Sequence, residues 1–160
     1  MTGVDISDVA IHTAKIHAEK QGLEIKYLNC EAEDLLPAEK ESYDLVTCLE
    51  AIEHVPDPAK LVETCSNLCK SGGTIVFSTI NRNPKSFLFA IIGAEYILNL
   101  LPKGTHEYKK FIKPSELSSM MRDNSLEVIE VIGMSYNPIT KNYWLGKDVD
   151  VNYLIHAKKK

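Results

Sequence analysis

The run Tyr43-Asp44-Leu45-Val46-Thr47-Cys48-Leu49 constrains the fold of this chain more than any other stretch. It is short, apolar and carries β-branched residues, which predicts a buried strand of a parallel sheet. The residues downstream support that reading. Asp57-Pro58 starts a helix, with proline in the first turn where its missing N–H does no harm. Leu61, Val62, Cys65, Leu68 and Cys69 form that helix's apolar stripe. Ser71-Gly72-Gly73 then turns the chain into a second strand over 74–80.

The same alternation appears upstream. Thr2-Gly3-Val4-Asp5 reads as the end of a strand. Ser7 or Asp8 caps a helix that runs to about Gln21, with Gly22 as its stop. Val9, Ala10, Thr13, Ile16 and His17 make its mixed apolar face. Residues 23–29 alternate apolar and polar, which predicts a strand, and 31–37 read as a loop with one helical turn. Strands alternating with helices predict an α/β fold with a mostly parallel sheet. The tail departs from this pattern. Pro114-Ser115-Glu116 opens a helix to about Asn124, and strands over 126–133 and 151–157 come after it with a long loop between them. With no helix between them, these two should pair antiparallel.

At 160 residues the chain reads as one domain spanning 1–160. A net charge of -4 with scattered basic residues gives no reason to expect a nucleic-acid partner. The first residues lack the basic and apolar regions of a signal peptide. Cys30, Cys48, Cys65 and Cys69 are therefore expected to be reduced in a cytosol-like compartment. Cys65 and Cys69 stand four apart but lack a second Cys/His pair, so buried apolar roles are favoured over a metal.

The chemistry concentrates at strand ends. In doubly wound sheets, ligands bind beyond the carboxyl ends of the strands. Asp5 stands at such an end, where a carboxylate can accept hydrogen bonds from ribose hydroxyls or simply cap a helix. Glu50, Glu53 and His54 directly follow the Tyr43–Leu49 strand. If they form a helical turn, their i, i+3, i+4 spacing puts all three on one face. Two carboxylates and an imidazole suit Mg²⁺ or a similar cation. His54 could instead act as a general base, because an unperturbed imidazole titrates near pH 6.5.

Glu50-Ala51-Ile52-Glu53-His54-Val55-Pro56-Asp57-Pro58 resembles the post-strand motif of class I methyltransferases. Ser78-Thr79-Ile80-Asn81-Arg82-Asn83, Gly93-Ala94-Glu95-Tyr96, Pro102-Lys103-Gly104-Thr105-His106 and Tyr136-Asn137-Pro138 resemble one family in particular. It is the ubiquinone-biosynthesis O-methyltransferases, which methylate polyprenyl catechol intermediates. The resemblance extends from Thr2 to Ala157. It implies a Rossmann-like class I methyltransferase sheet, mostly parallel with an antiparallel C-terminal strand. It also implies methyl transfer from S-adenosylmethionine to a hydroxyl of a polyprenyl catechol or demethylubiquinol. Asp5 would bind the cofactor's ribose, Glu31 and Ala32 would sit by the adenine, and Leu49 would touch the cofactor. Glu50, Glu53 and His54 would form a catalytic site for catechol and a divalent metal such as Mg²⁺.

The family's Gly-rich cofactor loop lies between its first strand and first helix, ahead of the strand that carries Asp5. No G-x-G-x-G run occurs in this chain. The chain is therefore expected to lack the first strand and that loop, either as a fragment or through a misplaced start. The family's first strand lies between its second and fourth, so a gap with unpaired backbone groups is expected there, together with weak cofactor binding.

Residues 85–107 form an apolar insertion, flanked by Lys85 and Lys103. It is too short to span a bilayer. It suits either a core or lid helix or an interfacial segment whose lysines meet anionic lipid. The resemblance favours the latter, in a cytoplasmic protein held peripherally at the inner membrane, in contact with lipid and with other quinone-biosynthesis enzymes. Two other readings compete: a nicotinamide-dependent oxidoreductase, disfavoured by the absent G-x-G-x-x-G, and a non-catalytic methyltransferase-like scaffold at the membrane.

Overall fold

A computed structural model describes residues 1–86, 108–137 and 140–160. The first unit is β1 (Thr2–Asp5), α1 (Asp8–Lys20) and β2 (Lys26–Asn29), with β1 and β2 parallel. Ser7 caps α1 by accepting the N–H of Ala10, and Gly22 follows the helix at positive φ. The buried face of α1 is Ile11 and Ala18, not the expected Val9 and Ile16, which are exposed. Residues 32–35 form a 3₁₀ turn, followed by the single turn α2 (Leu36–Glu39).

The second unit is β3 (Tyr43–Leu49), a 3₁₀ turn (Ile52–His54), α3 (Pro58–Leu68) and β4 (Cys69–Ile80). Strands β3 and β4 are parallel, as a strand–helix–strand unit requires. Asp57 caps α3 through the N–H of Lys60, and Pro58 sits in its first turn. The predicted stripe holds: Leu61, Val62, Cys65, Leu68 and Cys69 are all buried. Cys69 opens β4 rather than ending α3, so Cys65 and Cys69 do not share a helix face. All four cysteines are free thiols.

After the short turn α4 (Pro84–Ser86) and a 3₁₀ turn at Tyr108–Lys110 come α5 (Pro114–Asp123), β5 (Leu126–Asn137), β6 (Asn142–Gly146) and β7 (Asn152–Lys159). Strand β7 lies antiparallel between β4 and β5, as the tail pattern predicts. The loop between the two predicted tail strands contains β6, an edge strand antiparallel to β5. The expected insertion over 87–107, with Lys103, lies outside the described residues. Lys85 is described, and its Nζ donates to Asp148 (2.8 Å) and Asp150 (3.0 Å).

Among the described residues the strands make two sheets, ordered β1-β2 and β3-β4-β7-β5-β6. In these two sheets β1 and β3 are not hydrogen-bonded to each other, and each pairs along one edge only. One expectation fails in consequence. β3 is not buried on both faces, and Leu45 and Leu49 are 56% and 53% exposed. A strand reads as buried only when neighbours cover it, and the composition of a segment does not say whether they do. The core lies instead between β4/β7 and the helices α3 and α5, around Phe77, Tyr153, Ile155, Leu117, Met121 and Ile52.

Candidate functional site

The site is built where β3 and β4 end and β7 begins. Leu49 pairs with Ser78, and Ile80 pairs with Asn152. Three elements thus deliver polar side chains to the same end of the sheet: Glu50 beyond β3, Ser78 and Thr79 on β4, and Asn152 on β7. The carboxyl end of parallel strands is the expected place for a ligand in such a sheet.

Glu50 has φ 52°, in the left-handed region. That conformation costs a non-glycine residue about 1–2 kcal/mol, so neighbouring bonds must hold it there. They come mainly from Ser78. The N–H of Glu50 donates to the carbonyl oxygen of Ser78 and to its Oγ, each at 3.1 Å. Ser78 Oγ in turn donates to Oε1 of Glu50 at 2.7 Å. Asn152 Nδ2 donates to the same oxygen at 3.2 Å. Strained non-glycine residues that are over-determined by their surroundings cluster at functional sites.

Glu53 sits in the 3₁₀ turn and is 3% exposed. Thr79 Oγ1 donates to its Oε2 at 2.9 Å, while its Oε1 is buried without a hydrogen-bond partner among the described residues. Burial pushes the Glu53 carboxyl above its ordinary range, and the nearby Glu50 charge adds to the rise. His54 follows Glu53 but is exposed. The three residues predicted to share one helical face do not. Glu50 lies ahead of the 3₁₀ turn at positive φ, so no single helix carries all three. Glu50 and Glu53 bond to the β4–β7 polar cluster, and His54 is exposed next to them in the turn.

This bears on the implied metal. Glu53 has one carboxylate oxygen on Thr79, Glu50 has one on Ser78 and Asn152, and His54 is exposed. Among the described residues no group of three or more His, Cys, Asp and Glu is placed to hold a metal ion. The donor set as folded does not fit a divalent-cation cage.

The expected cofactor residues lie at the ends of β1, β2 and β3. Asp5 is exposed at the last position of β1; its Oδ1 accepts the N–H of Ser7 at 2.7 Å, and its carbonyl accepts from Asn29 Nδ2 at 3.0 Å. Glu31 precedes the 3₁₀ turn, and its N–H donates to Asp34. Ala32 packs against the core cluster, and Leu49 ends β3. That 3₁₀ turn packs on α3, which tethers the first unit to the second. The structure gives Asp5 both a capping contact and an exposed strand-end position, so either sequence reading of it is compatible with the fold.

Ser78, Thr79 and Asn152 join Glu50 and Glu53 in this polar cluster, though reading by residue type passes over them. A signal existed for the first two: paired hydroxyls at the end of the strand that must lie beside β3. Asn152 carries no local signal, because only the antiparallel return of β7 brings it to Glu50.

Comparison with known proteins agrees with this geometry. A family model described as a methyltransferase domain matches residues 1–77. A ubiquinone biosynthesis O-methyltransferase of Saccharophagus degradans is 54% identical over 160 residues, covering 99% of this chain and 68% of the relative. One from Marinobacter nauticus is 56% identical, covering 99% of this chain and 67% of the relative. The chain thus spans about two thirds of their length. Among solved structures, a SAM-dependent methyltransferase of Thermotoga maritima, described as a possible histamine N-methyltransferase, superposes with TM-score 0.68 at 26% identity, covering 99% of this chain and 72% of that one. A SAM-dependent methyltransferase of Methanosarcina mazei superposes with TM-score 0.69 at 21% identity, covering 99% and 81%, which bears on the fold alone. The chain belongs to the ubiquinone biosynthesis O-methyltransferases, a family of S-adenosylmethionine-dependent methyltransferases.

Proposed function

We propose that this chain carries the acceptor-side machinery for methylating a phenolic hydroxyl of a polyprenyl catechol or demethylubiquinol, with S-adenosylmethionine as donor. The observation that carries the reading is the Glu50–His54 turn at the end of β3, in a chain 54% identical to a named ubiquinone biosynthesis O-methyltransferase. Asp5, Glu31, Ala32 and Leu49 would hold the cofactor from the ends of β1 to β3.

The reaction is an in-line displacement. The phenolic oxygen forms a bond to the methyl carbon as the carbon–sulfur bond breaks, and S-adenosylhomocysteine leaves. The sulfonium is already activated, so alignment of the reactants supplies much of the rate. A phenol with a pKa of about 10, like tyrosine, must also lose its proton. His54, exposed at the mouth of the turn, is the base that takes it. Glu50 offers a carboxylate to the incoming hydroxyls. No step is routed through Mg²⁺, because the donors are not gathered to hold it.

The test is transfer of a labelled methyl group to a short-chain polyprenyl catechol by the whole enzyme. His54→Ala should lower kcat by about 10²–10⁴-fold, and chelators should leave the wild-type rate unchanged. Loss of activity on chelation with recovery on adding Mg²⁺ would replace the base by a metal. No transfer at all would leave the scaffold reading.

We also infer that the substrate is collected at the inner membrane through residues 85–107, since a polyprenyl tail is insoluble and that stretch is apolar. No described helix is long and apolar enough to cross a membrane. Flotation with anionic liposomes tests this. Binding lost on replacing Phe87 and Phe89 by Ser supports it, and no binding by the wild type overturns it.

A further inference from the structure

Resting on the activity proposed above, we infer that Asn152 is a positioning residue for the reaction, acting through Glu50. It lies 102 positions from Glu50 in sequence and meets it only because β7 returns antiparallel beside β4. Its Nδ2 donates to Oε1 of Glu50 at 3.2 Å, the oxygen that Ser78 also holds. With Oε1 occupied by two donors, Oε2 is the Glu50 oxygen left for an incoming hydroxyl.

The other half of the amide points the same way. Asn152 Oδ1 is buried and has no hydrogen-bond partner among the described residues. The side chain is part-buried, and a buried acceptor left unpaired is costly. The reverse orientation is closed, since it would set Oδ1 against the oxygen of Glu50. The side chain therefore gives up one bond to keep the other. Glu53 Oε1, in a side chain 3% exposed, is likewise buried without a partner on the same polar floor. Two unpaired buried acceptors in one small cluster mark it as shaped for something other than packing.

The test is a double-mutant cycle on methyl transfer by the whole enzyme, using Asn152→Ala, Glu50→Gln and the double substitution. If Asn152 acts through Glu50, Asn152→Ala lowers kcat about 10-fold or more in the presence of Glu50 and less than about 2-fold once Glu50 is Gln. KM for S-adenosylmethionine should not move in either background. Equal losses in both backgrounds would mean a merely structural role and overturn the inference. Should Asn152→Ala prevent folding, Asn152→Ser keeps a small donor and carries the same cycle, with partial retention of rate expected. A wild type that methylates no phenol defeats the proposed activity and this inference together. A wild type that methylates one, with additive losses, defeats this inference alone.

Discussion

Oγ1 of Thr79 donates a 2.9 Å hydrogen bond to Oε2 of Glu53, joining β4 to the turn after β3 and giving a buried carboxylate its one side-chain donor among the described residues. Thr79→Val keeps the shape and removes the donor. The change should cost about 1–3 kcal/mol of stability, read as a lowered urea midpoint with unchanged slope.

Glu53 also predicts a pH effect. Its folded-state pKa is raised, chiefly by burial. The folded state then holds a proton that the unfolded state has released, so Glu53's contribution is fully present below the unfolded carboxylate value, about pH 4.3, and is lost as pH rises through the folded value. Glu53→Gln, which stays neutral, should flatten the fall in stability over that window. A series of urea melts from about pH 4 to about pH 8 checks it. A wild-type curve that rises with pH in step with the variant would contradict the assignment.

Tyr153 is wholly buried, and its hydroxyl donates to the carbonyl of Ile112 at 2.9 Å. Burial raises the phenol above its ordinary range, so it stays a neutral donor. Tyr153→Phe leaves that carbonyl without this donor and should destabilise by about 1–2 kcal/mol, seen as a lower thermal midpoint.

Gly133 lies where β5 meets both β6 and β7. A Cβ there would stand 1.7 Å from the carbonyl oxygen of Asp148. Gly133→Ala must therefore displace the 147–150 loop and should cost about 1–3 kcal/mol or more. Because Asn81 Nδ2 donates to Val149 and Asn83 Nδ2 to Asp150, the shift should reach the end of β4. Hydrogen exchange at residues 81–83 should speed up.

The edge of β3 that is unpaired among the described residues, with Leu45 and Leu49 exposed, is a template for pairing with another strand. The 160-residue chain on its own should self-associate with rising concentration, and Leu45→Lys should suppress this. Light scattering across a concentration series measures both.

The local signals in this sequence were strong and short in range. Ser7, Asp57 and Pro58 mark helix starts, and the stripe from Leu61 to Cys69 marks a buried face, because capping and periodicity act within one or two turns. The strand–helix–strand order settled the parallel pairing of β3 and β4, and the Glu50–His54 stretch announced chemistry at a strand end. Tertiary structure decided the rest. Whether β3 is buried depends on a neighbouring strand, not on Leu45. Whether Glu50, Glu53 and His54 share one helical face depends on the backbone, which puts Glu50 at positive φ ahead of the 3₁₀ turn. Asn152 became a partner of Glu50 only through the antiparallel return of β7, a contact between residues 102 positions apart that no local pattern encodes.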